Sequence, residues 1–173
     1  MLKAIHAWGL AIGVLCSVSV PAMAETPPTA AETAPVGENP DEWADVSFVI
    51  VTSTPKYEDA LEAARKVAKG MGVKLDLRGL SPSAVTGLTS TPKVCEQNEW
   101  SYPCYVARGR YDEGTYVSIE HSSAYVGFAK DLYVVIVASG LDGETSKQAL
   151  QSAQRVFPDT YEKTAKVFLG CIH

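Results

Sequence analysis

The sequence predicts an α/β (α+β) domain with the element order βαββαβ: an antiparallel sheet, two helices and an inserted β-hairpin that carries a disulfide. Three observations lead there. A strand-helix unit occurs twice, first as Val49-Ile50-Val51-Thr52-Ser53 ahead of a helix bearing Ala60, Leu61, Ala64 and Val67, then as Val135-Ile136-Val137-Ala138-Ser139 ahead of one bearing Ala149, Leu150, Ala153 and Val156. The strands stand 86 positions apart and the helix cores 89, so the copies differ by three residues in the connecting turn. Between the copies lies a long stretch, residues 78–131, rich at first in Gly, Ser, Thr and Pro and containing Cys95 and Cys104.

The chain opens with an export signature. Lys3 precedes an apolar run from Ala4 to Val20, and Pro21-Ala22-Met23-Ala24 supplies the small residues of a cleavage site, so residues 1–24 read as a signal peptide removed before Glu25. A retained anchor is the alternative, but the apolar core is short. Leu15 ahead of Cys16 does not suit a lipoprotein signal. Removing Lys3 leaves 14 basic against 20 acidic residues, a formal charge of −6. That balance argues against a nucleic-acid surface, which needs a basic stripe. Residues 25–45 begin with Pro, Ala, Thr and Glu and read as a disordered linker, with the domain occupying 46–173.

Within the domain, residues 46–52 form a continuous β-branched and aromatic run, the pattern of a strand covered on both faces. Thr54 offers an N-cap and Pro55 a first helical residue. Apolar residues from Tyr57 to Met71 then recur at helical spacing, with Gly70 and Gly72 at the end. Val73–Leu77 reads as a second strand. Tyr102–Arg108 and Thr115–His121 read as the inserted hairpin, about residues 81–131, turning across Tyr111-Asp112-Glu113-Gly114. Leu132–Ala138 is the next strand. Thr145-Ser146-Lys147-Gln148 has capping-box spacing, for a helix reaching Phe157 before Pro158, and Lys163–Cys171 is the last strand.

Cleavage leaves Cys95, Cys104 and Cys171, which allow three different single bridges. Cys95 to Cys104 is favoured, because the loop between them holds Asn98, Trp100 and Pro103 in a segment with little regular structure. An oxidising compartment is the setting in which such a bridge persists.

The chain resembles the SPOR family, small periplasmic domains that bind peptidoglycan glycan strands. The resemblance is carried by Phe48 to Ser53, followed by Ala60 and Ala64, and by Tyr161-Glu162-Lys163 before the final strand. It covers about residues 46–80 and 132–170. The family commonly has Gln in the first strand and Gly-Ser-Phe at its end; here Val49 and Ile50 occupy the strand and Thr52-Ser53-Thr54 the turn, so Ser53 is the residue that carries over. The resemblance implies a ferredoxin-like, SPOR-like sheet, a periplasmic or secreted location and a cell-wall glycan as ligand.

Candidate ligand-binding residues are Ser53, Trp100, Tyr105, Arg108, Arg110, Tyr116 and Glu120. Tyr102, Tyr111 and His121 lie among them. Aromatic faces stack on sugar rings, while Arg and Glu bond hydroxyls or carboxylates. The plainer reading is that the Tyr and Val residues pack the hairpin and the arginines are solvated. Ser53 and Ser139, at equivalent strand ends, either help dock an anion at a helix N-terminus or satisfy local turn donors.

Glu120 and His121 are neighbours on one strand, so they point to opposite faces and cannot act on one atom together. Cys171-x-His173 matches no closed zinc spacing. The expectation is therefore a non-enzymatic exported binding module, without cofactor or metal, whose partner is cell-wall glycan. The alternative is a protein partner, as for an inhibitor or immunity protein, with Trp100 on the disulfide loop entering another protein's cleft.

Overall fold

The computed structural model describes residues 42–110, 112–140 and 143–170. The expected signal peptide, Tyr111, Cys171 and His173 lie outside them. Along the chain run β1 (Trp43–Thr54), α1 (Tyr57–Met71), β2 (Ser81–Ser83), β3 (Gly87–Thr89), α2 (Pro92–Gln97), β4 (Gly114–His121), a 3-10 turn (Ser122–Ala124), β5 (Tyr133–Gly140), α3 (Gly143–Gln154) and β6 (Tyr161–Phe168). Four strands form one antiparallel sheet in the order β4-β5-β1-β6, and β2 pairs with β3 in a small separate hairpin. No helix among the described residues is long and apolar enough to cross a membrane.

Both faces of the sheet are buried, as the unbroken apolar run in β1 requires. Side chains alternate along a strand, so Val49 and Val51 point to one side and Val46, Phe48 and Ile50 to the other. On the first side they meet Val135 and Val137 of β5, Val117 and Ile119 of β4, and a row of small residues on the helices: Ala60, Ala64 and Ala68 of α1, Ala149 and Ala153 of α3. Alanine at these positions lets both helices lie close to the sheet. On the second side Phe48, Ile136, Ala165 and Val167 meet Tyr125 and Phe128, which follow β4. The Phe48 and Tyr125 rings meet edge-on at 5.0 Å, and Tyr125 stacks on Phe128 at 5.1 Å.

The helix termini differ from the sequence expectation. Lys56, not Thr54, is the N-cap of α1 and makes no side-chain cap; the Thr54 hydroxyl instead accepts from the Lys56 N–H at 3.3 Å, and Pro55 precedes the helix. The other end behaves as the glycine predicts, with Gly72 at φ +68° closing α1 onto the Ala68 and Lys69 carbonyls. In α3 the helix begins at Gly143, so Thr145 lies inside its first turn rather than at its N-cap; the Gln148 amide donates to Glu144 at 3.2 Å. β1 begins at Trp43, inside the stretch expected to be linker.

The middle of the chain departs most. Val73–Leu77 is not a sheet strand: Leu75 makes one parallel bridge, to Val117. Thr115–His121 is not half of an inserted hairpin either, because β4 is an edge strand of the main sheet paired with β5. Tyr102–Arg108 forms no strand. It runs as an irregular arm over the sheet face opposite the helices, and Gly109 fits against Phe48 so closely that a Cβ there would lie 2.8 Å from Cζ. The short hairpin β2–β3 and the six-residue α2 were not anticipated, which makes three α-helices among the described residues rather than two.

The disulfide expected between Cys95 and Cys104 is present, tying α2 to the start of the arm, with both cysteines buried. Thr91 caps α2 by accepting from the Val94 N–H. The Thr89 hydroxyl accepts from the Cys104 N–H at 3.1 Å and holds the other end of the bridge. Closing a loop of nine-residue separation contributes roughly 2–3 kcal/mol in the chain-entropy account. Cys95→Ser with Cys104→Ser is expected to lower unfolding free energy by that amount in urea titrations; an unchanged midpoint would show that the reduced chain is already ordered there.

Candidate functional site

The candidate residues divide into two groups, one interior and one at the surface. Arg108 and Glu120, both expected to face a ligand, are 0 % exposed. The Arg108 guanidinium donates to the carbonyls of Gly114 (2.8 Å), Tyr116 (2.9 Å) and Ile136 (3.3 Å) and to the hydroxyls of Ser118 (3.0 Å) and Ser139 (2.9 Å). Its plane lies 3.5 Å from the centre of the Tyr116 ring. Nε, Nη1 and Nη2 are all engaged, with Nη1 shared among three of the five acceptors in β4 and β5, which fastens the arm to the sheet. Burial lowers the Arg108 pKa, opposed by Tyr116 and Glu120.

Glu120 lies beside it on β4, where Ser118 and Glu120 face the arm while Val117 and Ile119 face the helices. Four donors converge on Glu120 Oε2: Arg78 Nη1 at 2.8 Å, Tyr105 OH at 2.7 Å, the Arg108 N–H at 3.2 Å and Tyr125 OH at 3.4 Å. Arg78 also pairs with Asp112 at 3.2 Å, so two guanidinium groups and two carboxylates balance within the cluster. Burial works against the charge on Arg78, but Glu120 and Asp112 outweigh it and raise its pKa. Arg78 and Asp112 were not singled out from the sequence. Arg78 holds a left-handed backbone, φ +57°, with its N–H on Asp76 Oδ1, a turn chemistry that only its neighbours reveal.

The tyrosines of this cluster resist ionisation. Burial raises the pKa of Tyr105 and Tyr125, with Glu120 adding to it, and pushes Tyr116 up to about 12 despite Arg108 nearby. A folded-state pKa above the unfolded value means the native chain holds protons that the unfolded chain has released. Stability is therefore fully present below the unfolded tyrosine value near pH 10 and falls as pH rises towards the folded values. Urea midpoints at pH 9, 10 and 11, with phenolate absorbance followed in parallel, are expected to decline slightly across the lower interval and mainly across the upper one. Ionisation of Tyr105, Tyr116 or Tyr125 in the folded chain at pH 10, followed on their assigned ring resonances, would contradict it.

Two of the expected residues do meet at the surface. Tyr105 and Arg110 line a cleft of about 160 Å³ with Trp43, Ala107, Val167 and Phe168. Trp43 and Phe168 are cross-strand partners at the start of β1 and the end of β6, their rings 5.4 Å apart. The Arg110 guanidinium lies 5.8 Å from the Phe168 centroid and donates to the Gly170 carbonyl. The cleft therefore presents aromatic rings beside a guanidinium. Trp43 and Phe168 were missed because each reads locally as ordinary strand packing, and only the β1–β6 register brings them together.

The remaining candidates are separate. Ser53 is exposed within β1, opposite Val134, and lines a shallow hollow with Phe128, Tyr161 and Lys163; it does not stand at the α1 terminus. Ser139, its expected counterpart, is buried as the acceptor of Arg108 Nε. Trp100 is half-buried on the disulfide loop, where Tyr102 is 58 % exposed; Val94, just before the loop in α2, is 39 % exposed. Tyr116 is half-buried against Arg108. Glu120 and His121 diverge as expected, His121 packing on Tyr133 and Gly87. Among the described residues no group of three or more His, Cys, Asp or Glu could hold a metal ion.

Comparison with protein-family models, curated protein sequences and solved structures returned no match.

Proposed function

We propose that the chain is an exported, non-enzymatic binding module whose ligand is cell-wall glycan. The observation that carries this reading is the cleft in which Trp43, Tyr105 and Phe168 stand beside Arg110. Ring faces stack on the apolar faces of sugars, and a guanidinium bonds hydroxyls and carboxylates. The strand order supports a ferredoxin-like, SPOR-like assignment: counting only the main-sheet strands as first to fourth along the chain, it runs fourth-first-third-second, all antiparallel. The Cys95–Cys104 bridge is compatible with a periplasmic or secreted setting.

The sheet face opposite the helices is filled by the arm, Tyr125 and Phe128, so the proposed contact lies on the cleft at its margin rather than on an open sheet. Incubating the chain from Glu25 onward with purified sacculi is expected to carry it into the pellet. Trp43→Ala is expected to release it while leaving the unfolding midpoint nearly unchanged. Complete recovery of the unaltered chain in the supernatant removes the proposal.

A second reading, a protein partner, is favoured by the disulfide loop, which exposes Tyr102 on a covalently closed segment, with Val94 exposed just ahead of it. Apolar and aromatic anchors on a rigid loop are the usual centres of protein interfaces. Tyr102→Ala is then expected to abolish co-purification of one specific envelope protein without affecting retention on sacculi.

A further inference from the structure

Where β1 and β4 end and β5 begins, a cleft of about 290 Å³ opens between Pro55, the Ser83–Gly87 turn, His121, Ser123, Asp131 and Tyr133. It shares no lining residue with the aromatic cleft. His121 forms part of its wall, only 7 % exposed, and its Nδ1 is buried with no hydrogen-bond partner. The β2–β3 turn is built to cover the ring: Gly87, at φ +75°, lies so near that a Cβ would stand 2.1 Å from the His121 Cγ. Below, the ring meets Tyr133 edge-on at 5.3 Å, and Tyr133 in turn meets Tyr57 at 5.4 Å. The Tyr133 hydroxyl donates to the Gly87 carbonyl at 3.1 Å, closing the turn over the site.

A buried ring nitrogen without a partner loses its bond to water and gains none in return. The polar side chains near it do not supply one. Ser123 donates to Asp131 Oδ1 at 3.3 Å and accepts from the Asp131 N–H at 3.2 Å. Serine, histidine and aspartate thus surround one cleft, but the aspartate engages the serine and neither reaches the ring, so the proton relay of an acyl-transfer triad is not assembled.

The wall is rich in acceptors. Asp131 is its one charged side chain, and no lysine or arginine is among the lining residues. Burial lowers the His121 pKa, with Asp131 acting in the opposite sense, so at neutral pH the ring offers a lone pair. An anion would meet the carboxylate with no compensating cation, and a metal would find too few ligands.

We infer that this cleft binds an organic ammonium group, with Asp131 as its counter-ion, the Tyr133 ring forming an aromatic wall and the His121 Nδ1 accepting one N–H as the Gly87 turn that covers it shifts aside. The inference is independent of the glycan proposal.

The test is a titration of the ¹⁵N-labelled chain from Glu25 onward at pH 7.5 with n-butylammonium, n-butanol and butyrate, following the His121 ring nitrogens and the Gly87 and Ser123 amides. Butylammonium alone is expected to give a saturable shift, with a Kd on the order of millimolar for so small a probe. Asp131→Asn is expected to weaken binding about tenfold, the size of one charge-assisted bond, while the left-handed backbone at φ +60° remains acceptable to asparagine. His121→Gln is expected to weaken it severalfold, read on the amides. Equal shifts with butanol or butyrate, failure to saturate, or an Asp131→Asn variant that binds butylammonium unchanged would each overturn it.

Discussion

Arg108→Leu is expected to remove about 3–5 kcal/mol of stability, the scale for leaving the partners of a buried charge uncompensated. Leucine fills part of the volume but satisfies none of the five acceptors. The Gly114, Tyr116 and Ile136 carbonyls and the Ser118 and Ser139 hydroxyls would remain in a dry interior. Each such group carries a desolvation penalty of about 1–3 kcal/mol when unpaired, partly relieved by relaxation. Lysine is no substitute, because a single ammonium cannot span acceptors on two strands or stack on Tyr116. Equilibrium urea unfolding followed by circular dichroism measures the loss. A change below about 1 kcal/mol would mean that water replaces the guanidinium, and that the arm is not held by this contact.

Glu120→Gln is expected to cost about 3 kcal/mol by the same reasoning, although the shape is preserved. The amide oxygen can take the place of Oε2, where four donors converge, but the charge that compensates the buried guanidinium groups is lost and the NH₂ takes the place of Oε1, which is buried with no partner. Arg78 retains only Asp112 as an anionic partner. A double-mutant cycle with Arg78→Gln is expected to show a coupling of about 1–3 kcal/mol. Hydrogen exchange of the 104–110 amides should quicken in the single variant, because this carboxylate also accepts the Arg108 N–H. Strict additivity of the two substitutions would contradict the pairing.

Burying Arg108 and Glu120 overturns the most natural reading of their neighbourhood. In sequence they sit among tyrosines and arginines on an alternating pattern, and charged residues are almost always exposed unless paired. Nothing local shows that the arginine at 108 has its acceptors at 114, 116, 118, 136 and 139, because those positions converge only after β4 pairs with β5. The polar positions Ser118 and Glu120 did carry a signal. A strand with Val117 and Ile119 on one face and Ser118 and Glu120 on the other reads as half-solvated, and the same alternation is what an inward-facing polar network produces. Tyr105 and Arg110 reach the aromatic cleft for a comparable reason, since their companions Trp43 and Phe168 lie about 60 residues to either side.

By itself the sequence determined the elements whose evidence is local. The β-branched runs of β1 and β5, the alanine-faced helices α1 and α3 and the glycine ending α1 all follow from composition and spacing over ten or fifteen residues, whereas the pairing of Cys95 with Cys104 is favoured among three possible bridges and decided by the structure. Tertiary structure alone decided that β4 joins the main sheet, that the arm fills the second face, and that Arg108 and Glu120 turn inward. Periodicity tells which residues share a face; which strand lies alongside, and what covers that face, depends on the free energy of matching buried donors to acceptors far along the chain.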